Sequence, residues 1–148
     1  MSGAGDAFFV DTNLLLYYID PADQRKRASA AEWLETLWLG GTGRLSWQVL
    51  HEFYWNVVRK MRLAPASACE IVADLSHWRP VSSTLGLVQQ AWHWMDSAQL
   101  SYWDALIVAA SHRSGARYLL SENFQAGGRY GDIQVLNPFD SSPAEFTP

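Results

Sequence analysis

The chain has 148 residues, 49% of them apolar and 14% aromatic, which excludes a disordered protein and suits one domain with a single core. Its net charge of −4 argues against a strongly basic nucleic-acid binder, although Arg25-Lys26-Arg27, Arg59-Lys60-Arg62 and Arg113/Arg117 form local basic clusters. No apolar run approaches the ~20 residues of a bilayer span, no basic-then-apolar leader opens the chain, and Cys69 is the lone cysteine, so a reduced, cytoplasmic setting is expected.

The first predicted element, Ala7–Val10, is a continuous apolar run, as in a strand buried on both faces. The run breaks at Asp11-Thr12-Asn13 and resumes as Leu14-Leu15-Leu16, where a helix begins. A helix cap would account for Asp11 or for Asn13, but not readily for both. A buried, unpaired carboxylate is strongly unfavourable, so Asp11 calls for a compensating group. Ala30, Leu34, Leu37 and Trp38 share the face of a second helix, and Gly40-Gly41-Thr42-Gly43 marks a turn. Leu45-Ser46 and Arg79–Val81 are weak strand candidates. Further helices carry Val49, Phe53, Val57 and Met61; then Ala68, Ile71, Val72 and Leu75; then Leu85, Val88, Trp92 and Met95; then Trp103, Leu106, Ile107 and Ala110. Tyr118–Leu120 and Ile133–Leu136 read as buried strands. Asp140–Pro148 reads as a loosely attached end. Buried strands alternating with amphipathic helices predict an α/β fold with helices on both faces of a parallel sheet. On this pattern Cys69, beside Ala68, is expected to be a buried structural cysteine.

The acidic residues fall at telling places. Asp11 follows the first strand, at the carboxyl edge where open α/β sheets bind ligands. Glu52 sits at the edge of an apolar helical stripe, where an ordinary surface glutamate would also sit. Asp104 begins an apolar helix, and Ser101-x-x-Asp104 also fits a capping box. The strand Tyr118–Leu120 ends in Ser121-Glu122-Asn123, a second polar strand end that would meet the first if the two strands are neighbours. Gathered acids without His or Cys describe a hard-cation site for Mg²⁺ or Mn²⁺ with oxygen ligands. Such an ion lowers the pKa of bound water and neutralises phosphate charge, which suits phosphodiester hydrolysis. The four histidines show no zinc-helix spacing, no Gly-x-Ser-x-Gly elbow is present, and neither glycine cluster fits a phosphate-cradling loop.

Taken in order, "FFVDTNLLLYYID", "SWQVLHEFYWNVVRK", "SYWDALIVAASHRSGARYLLSEN" and "IQVLNPF" resemble the PIN-domain family, and within it the VapC-type toxins of bacterial toxin–antitoxin pairs. The resemblance spans about residues 8–139 and implies one PIN-like domain, a three-layer α/β/α sandwich around a parallel sheet of about five strands. It implies a Mg²⁺-dependent endoribonuclease whose metal ligands are Asp11, Glu52 and Asp104, with Asn13 and Ser121 supporting them. The family's fourth acid maps onto Asn123, an amide here, and neighbouring Glu122 would point to the other side of an extended chain. The family reading also implies a homodimer and a groove for an antitoxin peptide. Aromatic residues outside the core would serve these surfaces: Trp33, Trp47, Trp55, and a second stripe of Leu87, Ala91 and Trp94 on the helix Leu85–Ala98. The simpler account of the tryptophans is a Trp-rich core. Two other functions fit the same residues: a PIN-like module that has lost catalysis and only binds RNA or protein, and a metal-dependent phosphatase of small molecules.

Overall fold

A computed structural model describes residues 5–146. In chain order it contains β1 (Phe8–Val10), α1 (Thr12–Ile19), α2 (Gln24–Gly40), β2 (Gly43–Arg44), α3 (Trp47–Arg59), α4 (Pro65–Leu75), α5 (Leu85–Ala98), α6 (Tyr102–Arg113), β3 (Tyr118–Leu120), β4 (Arg129–Tyr130) and β5 (Ile133–Leu136). Short 3-10 turns lie at Ser76–Trp78 and Pro143–Glu145. The sheet order is β2-β1-β3-β5-β4, parallel except for the antiparallel edge strand β4. Every residue of β1 and β3 is buried, which is why these strands read as unbroken apolar runs.

The crossover from β1 to β2 runs one way along the sheet, and that from β2 back to β3 runs the other. Right-handed connections therefore put α1 and α2 on one face and α6 on the other. α1 packs on α2 and α3, and α3 on α4; α5 packs on α6, which meets β3 and β5. The expected sandwich is present.

Several local expectations fail for identifiable reasons. Leu45-Ser46 is not a strand: β2 lies two residues earlier, and Ser46 makes only an isolated bridge with Val81. The Trp78 indole covers β2 at Gly43, where a Cβ would clash with the ring. On α5 the expected core face holds only in part. Leu87 and Ala91 are buried and Val88 and Met95 are half-buried against the core, while Leu85 and Trp92 are exposed. Both stripes have helical period, and the core takes residues from each. Helix α6 is buried continuously from Ala105 to Ser111, so no stripe describes it, and Trp103 projects into solvent. Trp38 is likewise half-exposed rather than core. Cys69 is exposed, because α4 turns Ala68 and Leu75 inward.

Trp33 is a core residue, only 1% exposed, against the expectation that it lies outside. Its indole N–H donates to the carbonyls of Pro138 (2.9 Å) and Ser141 (3.1 Å). The C-terminal segment is correspondingly anchored. Pro143 is buried, and the Phe146 ring packs against Phe8, Trp33 and Tyr118 with centroids 5.3–6.2 Å apart. Residues 147–148 lie outside the described residues.

Candidate metal centre

The register of the apolar strands builds the site. Val10 pairs with Leu120, and the ladder continues one step, the Asp11 N–H donating to the Leu120 carbonyl (3.1 Å). Asp11 and Ser121 therefore leave neighbouring strands side by side. The chain leaves β1 toward β2 and β3 toward β5, in opposite directions along the sheet, which is where α/β sheets open a ligand crevice.

Asp11 is the cap residue of α1 and is 6% exposed. Its Oδ1 accepts from the Thr12 N–H (2.8 Å), and its Oδ2 accepts from the Ser121 hydroxyl (2.7 Å). The Asn13 amide donates to Ser121 Oγ (3.1 Å) and, at a longer 3.4 Å, to Asp11 Oδ2. Burial pushes the Asp11 carboxyl up from 3.8 to about 6; the Ser121 and Thr12 hydrogen bonds oppose this, and the charges of Glu52 and Asp104 add to it. Asp11, just past β1, thus feels acids from α3 and α6 at the sheet edge.

Sequence reasoning missed Thr12. The Thr12 hydroxyl donates to Glu52 Oε1 at 3.0 Å and ties α1 to the exposed Glu52 of α3. A threonine in a first helical turn carries no signal of this in the sequence. At Asp104 half of the expected capping box forms: Ser101 Oγ accepts from the Asp104 N–H (3.2 Å). No reciprocal bond to the Asp104 carboxylate occurs among the described residues.

The fourth position behaves differently. Asn123 is exposed, and its backbone N–H donates to Ser121 Oγ (3.1 Å), while its side-chain amide makes no hydrogen bond among the described residues. The Glu122 carboxylate turns away and pairs with Lys26 at 2.8 Å. Lys26 also donates to the Tyr17 hydroxyl (3.3 Å) and lies over the Tyr17 and Phe139 rings.

Among the described residues there are two ion pairs, Lys26–Glu122 and Arg117–Asp6, and neither involves Asp11, Glu52 or Asp104. No three acidic, histidine or cysteine side chains there stand close enough to form a ready-made ion cage. The donor chemistry nevertheless fits a hard divalent cation. Asp11 is destabilised as the anion and feels the charges of Glu52 and Asp104, and neither ion pair brings a protein cation to any of the three.

A mostly parallel sheet with a buried carboxylate at its carboxyl edge, flanked by helices on both faces, defines an α/β domain of the open-sheet class. The sequence model of the PIN domain matches residues 8–125, and the chain belongs to that family. PIN domains are generally nucleases and generally use divalent metals. Among solved structures, the chain is similar to Mycobacterium tuberculosis VapC20, described as a sarcin–ricin-loop-cleaving toxin. The two share 22% identity with a TM-score of 0.57, over 76% of this chain and 87% of that one. This likeness is one of fold. No curated protein matches the sequence.

Proposed function

We propose that the protein is a metal-dependent endoribonuclease acting as the toxin of a toxin–antitoxin pair. The observation that carries this reading is the buried Asp11 carboxylate, raised to about 6 by burial with the charges of Glu52 and Asp104 adding to it, in a chain of the PIN family. Asp11, Glu52 and Asp104 would hold Mg²⁺ or Mn²⁺. When bound, such an ion neutralises charge at the scissile phosphate and activates water for attack on phosphorus. The chain's own groups prepare this. Ser121 and the Thr12 N–H each orient one Asp11 oxygen, Asn13 holds Ser121, and the Thr12 hydroxyl positions Glu52. Exposed Arg59 and Arg62, at and just beyond the end of α3, would hold the RNA backbone.

The partners follow from the same reading: an RNA substrate, a cognate antitoxin and a second copy of the chain, in the cytoplasm. No helix among the described residues is long and apolar enough to cross a membrane. An apolar groove lined by Tyr18, Leu34, Trp38, Ile71, Leu75 and Trp78 supports the antitoxin assignment.

The test is RNA cleavage with Mg²⁺ or Mn²⁺ against EDTA, for the wild type and Asp104→Asn. The variant should fold, because the cap uses the Asp104 backbone N–H, and it should lose cleavage. Full metal-dependent activity in this variant would refute the site assignment. One observation favours a rival, a catalytically weakened module that binds RNA or protein: the solvent-facing Asn123 adds no charge to the cluster. That rival predicts RNA or protein binding without turnover in any metal.

A further inference from the structure

Beside the acids, Gln48, His51 and Glu52 of α3, Ser83, and Trp103 and Leu106 of α6 line a cleft of about 430 Å³. This is within the range of small-ligand sites, about 300–1,000 Å³. Glu52 lines this cleft, is tied to Thr12 next to Asp11 and acts on Asp11 by its charge, so the cleft lies beside the acids. Trp103 stands one residue from Asp104 and is 62% exposed. Its ring is braced by Tyr102, with centroids 5.3 Å apart in an edge-on arrangement. On the α3 side, Trp47 braces the His51 ring at 5.9 Å. Gln48 ties the walls together, its amide donating to the Trp103 carbonyl at 3.4 Å. The walls are thus aromatic, and each is held in place before any ligand arrives.

Charge selects the occupant. Glu52 is the one charged residue of the lining, and no Lys or Arg lines the cleft. A phosphate would be repelled. A flat, uncharged ring with hydrogen-bonding edges would stack on the indole and meet Gln48 and His51. We propose that this cleft seats one unpaired nucleobase of the RNA, adjacent to the phosphate handled by Asp11, Glu52 and Asp104. The proposal rests on the endoribonuclease reading and deepens it. A base in a duplex cannot reach the indole without leaving its stack, so the base this cleft takes is one that is unpaired.

The experiment first maps the cut in a single-stranded RNA oligonucleotide treated with the wild-type protein and Mg²⁺ or Mn²⁺. Strands with an abasic nucleotide at each position flanking the cut are then compared in wild type, Trp103→Ala and Trp103→Phe. One abasic position should lower wild-type kcat/KM about tenfold, the scale of one base–aromatic stack. Trp103→Ala should show that loss on the intact strand and no further loss at that position. Trp103→Phe should keep most of the discrimination, and it carries the test if the alanine variant misfolds by circular dichroism. Fluorescence anisotropy with intact and abasic strands, without metal, reads binding independently of turnover.

If the wild type cleaves RNA but abasic penalties are equal with and without the indole at every position, the cleft holds no base, and the nuclease reading stands. If nothing is cleaved but intact RNA binds more tightly than abasic RNA through Trp103, the nuclease reading falls and the cleft stands. Neither cleavage nor Trp103-dependent binding overturns both. A Trp103→Ala variant that changes oligomeric state while base removal has no effect overturns the proposal and assigns the indole to a contact between copies.

Discussion

Ser121→Ala should destabilise the protein in a pH-dependent way, and the size of the effect follows from Asp11. The native Asp11 carboxyl titrates at about 6, against 3.8 as the ordinary value. The native state therefore binds this proton more tightly than the unfolded chain does. The stabilisation is fully present below pH ~4 and is lost as pH rises through 6, so ionised Asp11 costs about 3 kcal/mol at neutral pH. The Ser121 hydroxyl limits that cost through its 2.7 Å bond to Oδ2. A hydrogen bond to a charged group is worth about 1.5–3 kcal/mol, and one between neutral groups about 1. Removing the hydroxyl should raise the Asp11 pKa further, by about one unit for the ~1.4 kcal/mol difference. At pH 5 native Asp11 is mostly protonated in both proteins, and the variant should lose about 1 kcal/mol. At pH 8 the loss should be about 2–3 kcal/mol. For a chain of this size, each kcal/mol moves Tm by about 3 °C. Thermal melts in EDTA should therefore show a Tm gap between wild type and variant some 3–5 °C wider at pH 8 than at pH 5. An equal gap at both pH values would mean that Ser121 does not solvate an ionised Asp11, and the electrostatic account of the site would be wrong.

Other consequences are open to direct measurement. Asn123→Asp adds a carboxylate at the end of β3; it should lower the Mg²⁺ concentration for half-maximal cleavage and lower Tm in EDTA. If neither changes, position 123 lies outside the site. Deleting residues 141–148 removes the Phe146 packing and one acceptor of the Trp33 indole. It should cost about 2–4 kcal/mol, read as a Tm drop of roughly 6–12 °C, and an unchanged Tm would show that the segment carries no core packing. Sedimentation at tens of micromolar, roughly the Kd of a modest interface, should give a homodimer, and a monodisperse monomer would count against that part of the functional reading.

The fold was legible where burial is two-sided. Phe8–Val10 and Tyr118–Leu120 have no solvent face, so unbroken apolar runs marked them, and Ile133–Leu136 departs from this only at the half-buried Gln134. Elements that touch solvent were harder to read. β4, an exposed two-residue edge strand, has no pattern to find. On α5 two stripes of equal period compete, and the core takes residues from each. Trp33 was misjudged because its amphipathic ring suits both surface and core, and its hydrogen-bond partners lie more than a hundred residues away.

At the candidate site the same division holds between what a strand register dictates and what a side chain chooses. Asp11 and Ser121 were legible because each terminates a buried run, and parallel pairing of those runs brings them together. Glu52 and Asp104 each have an ordinary helical explanation and became informative only as members of a set. Thr12 and Lys26 were invisible. Their roles depend on partners 40 and 96 residues distant, and nothing local distinguishes a hydroxyl that reaches Glu52 from one that faces water. Lys26 also gives the opposite orientations of Glu122 and Asn123 an energetic cause. Its 2.8 Å bond to Glu122, with the Tyr17 and Phe139 rings beneath the ammonium, commits that carboxylate to the α2 side of the strand end. Any extra negative charge at the acid cluster must therefore come from position 123, where this chain carries an amide.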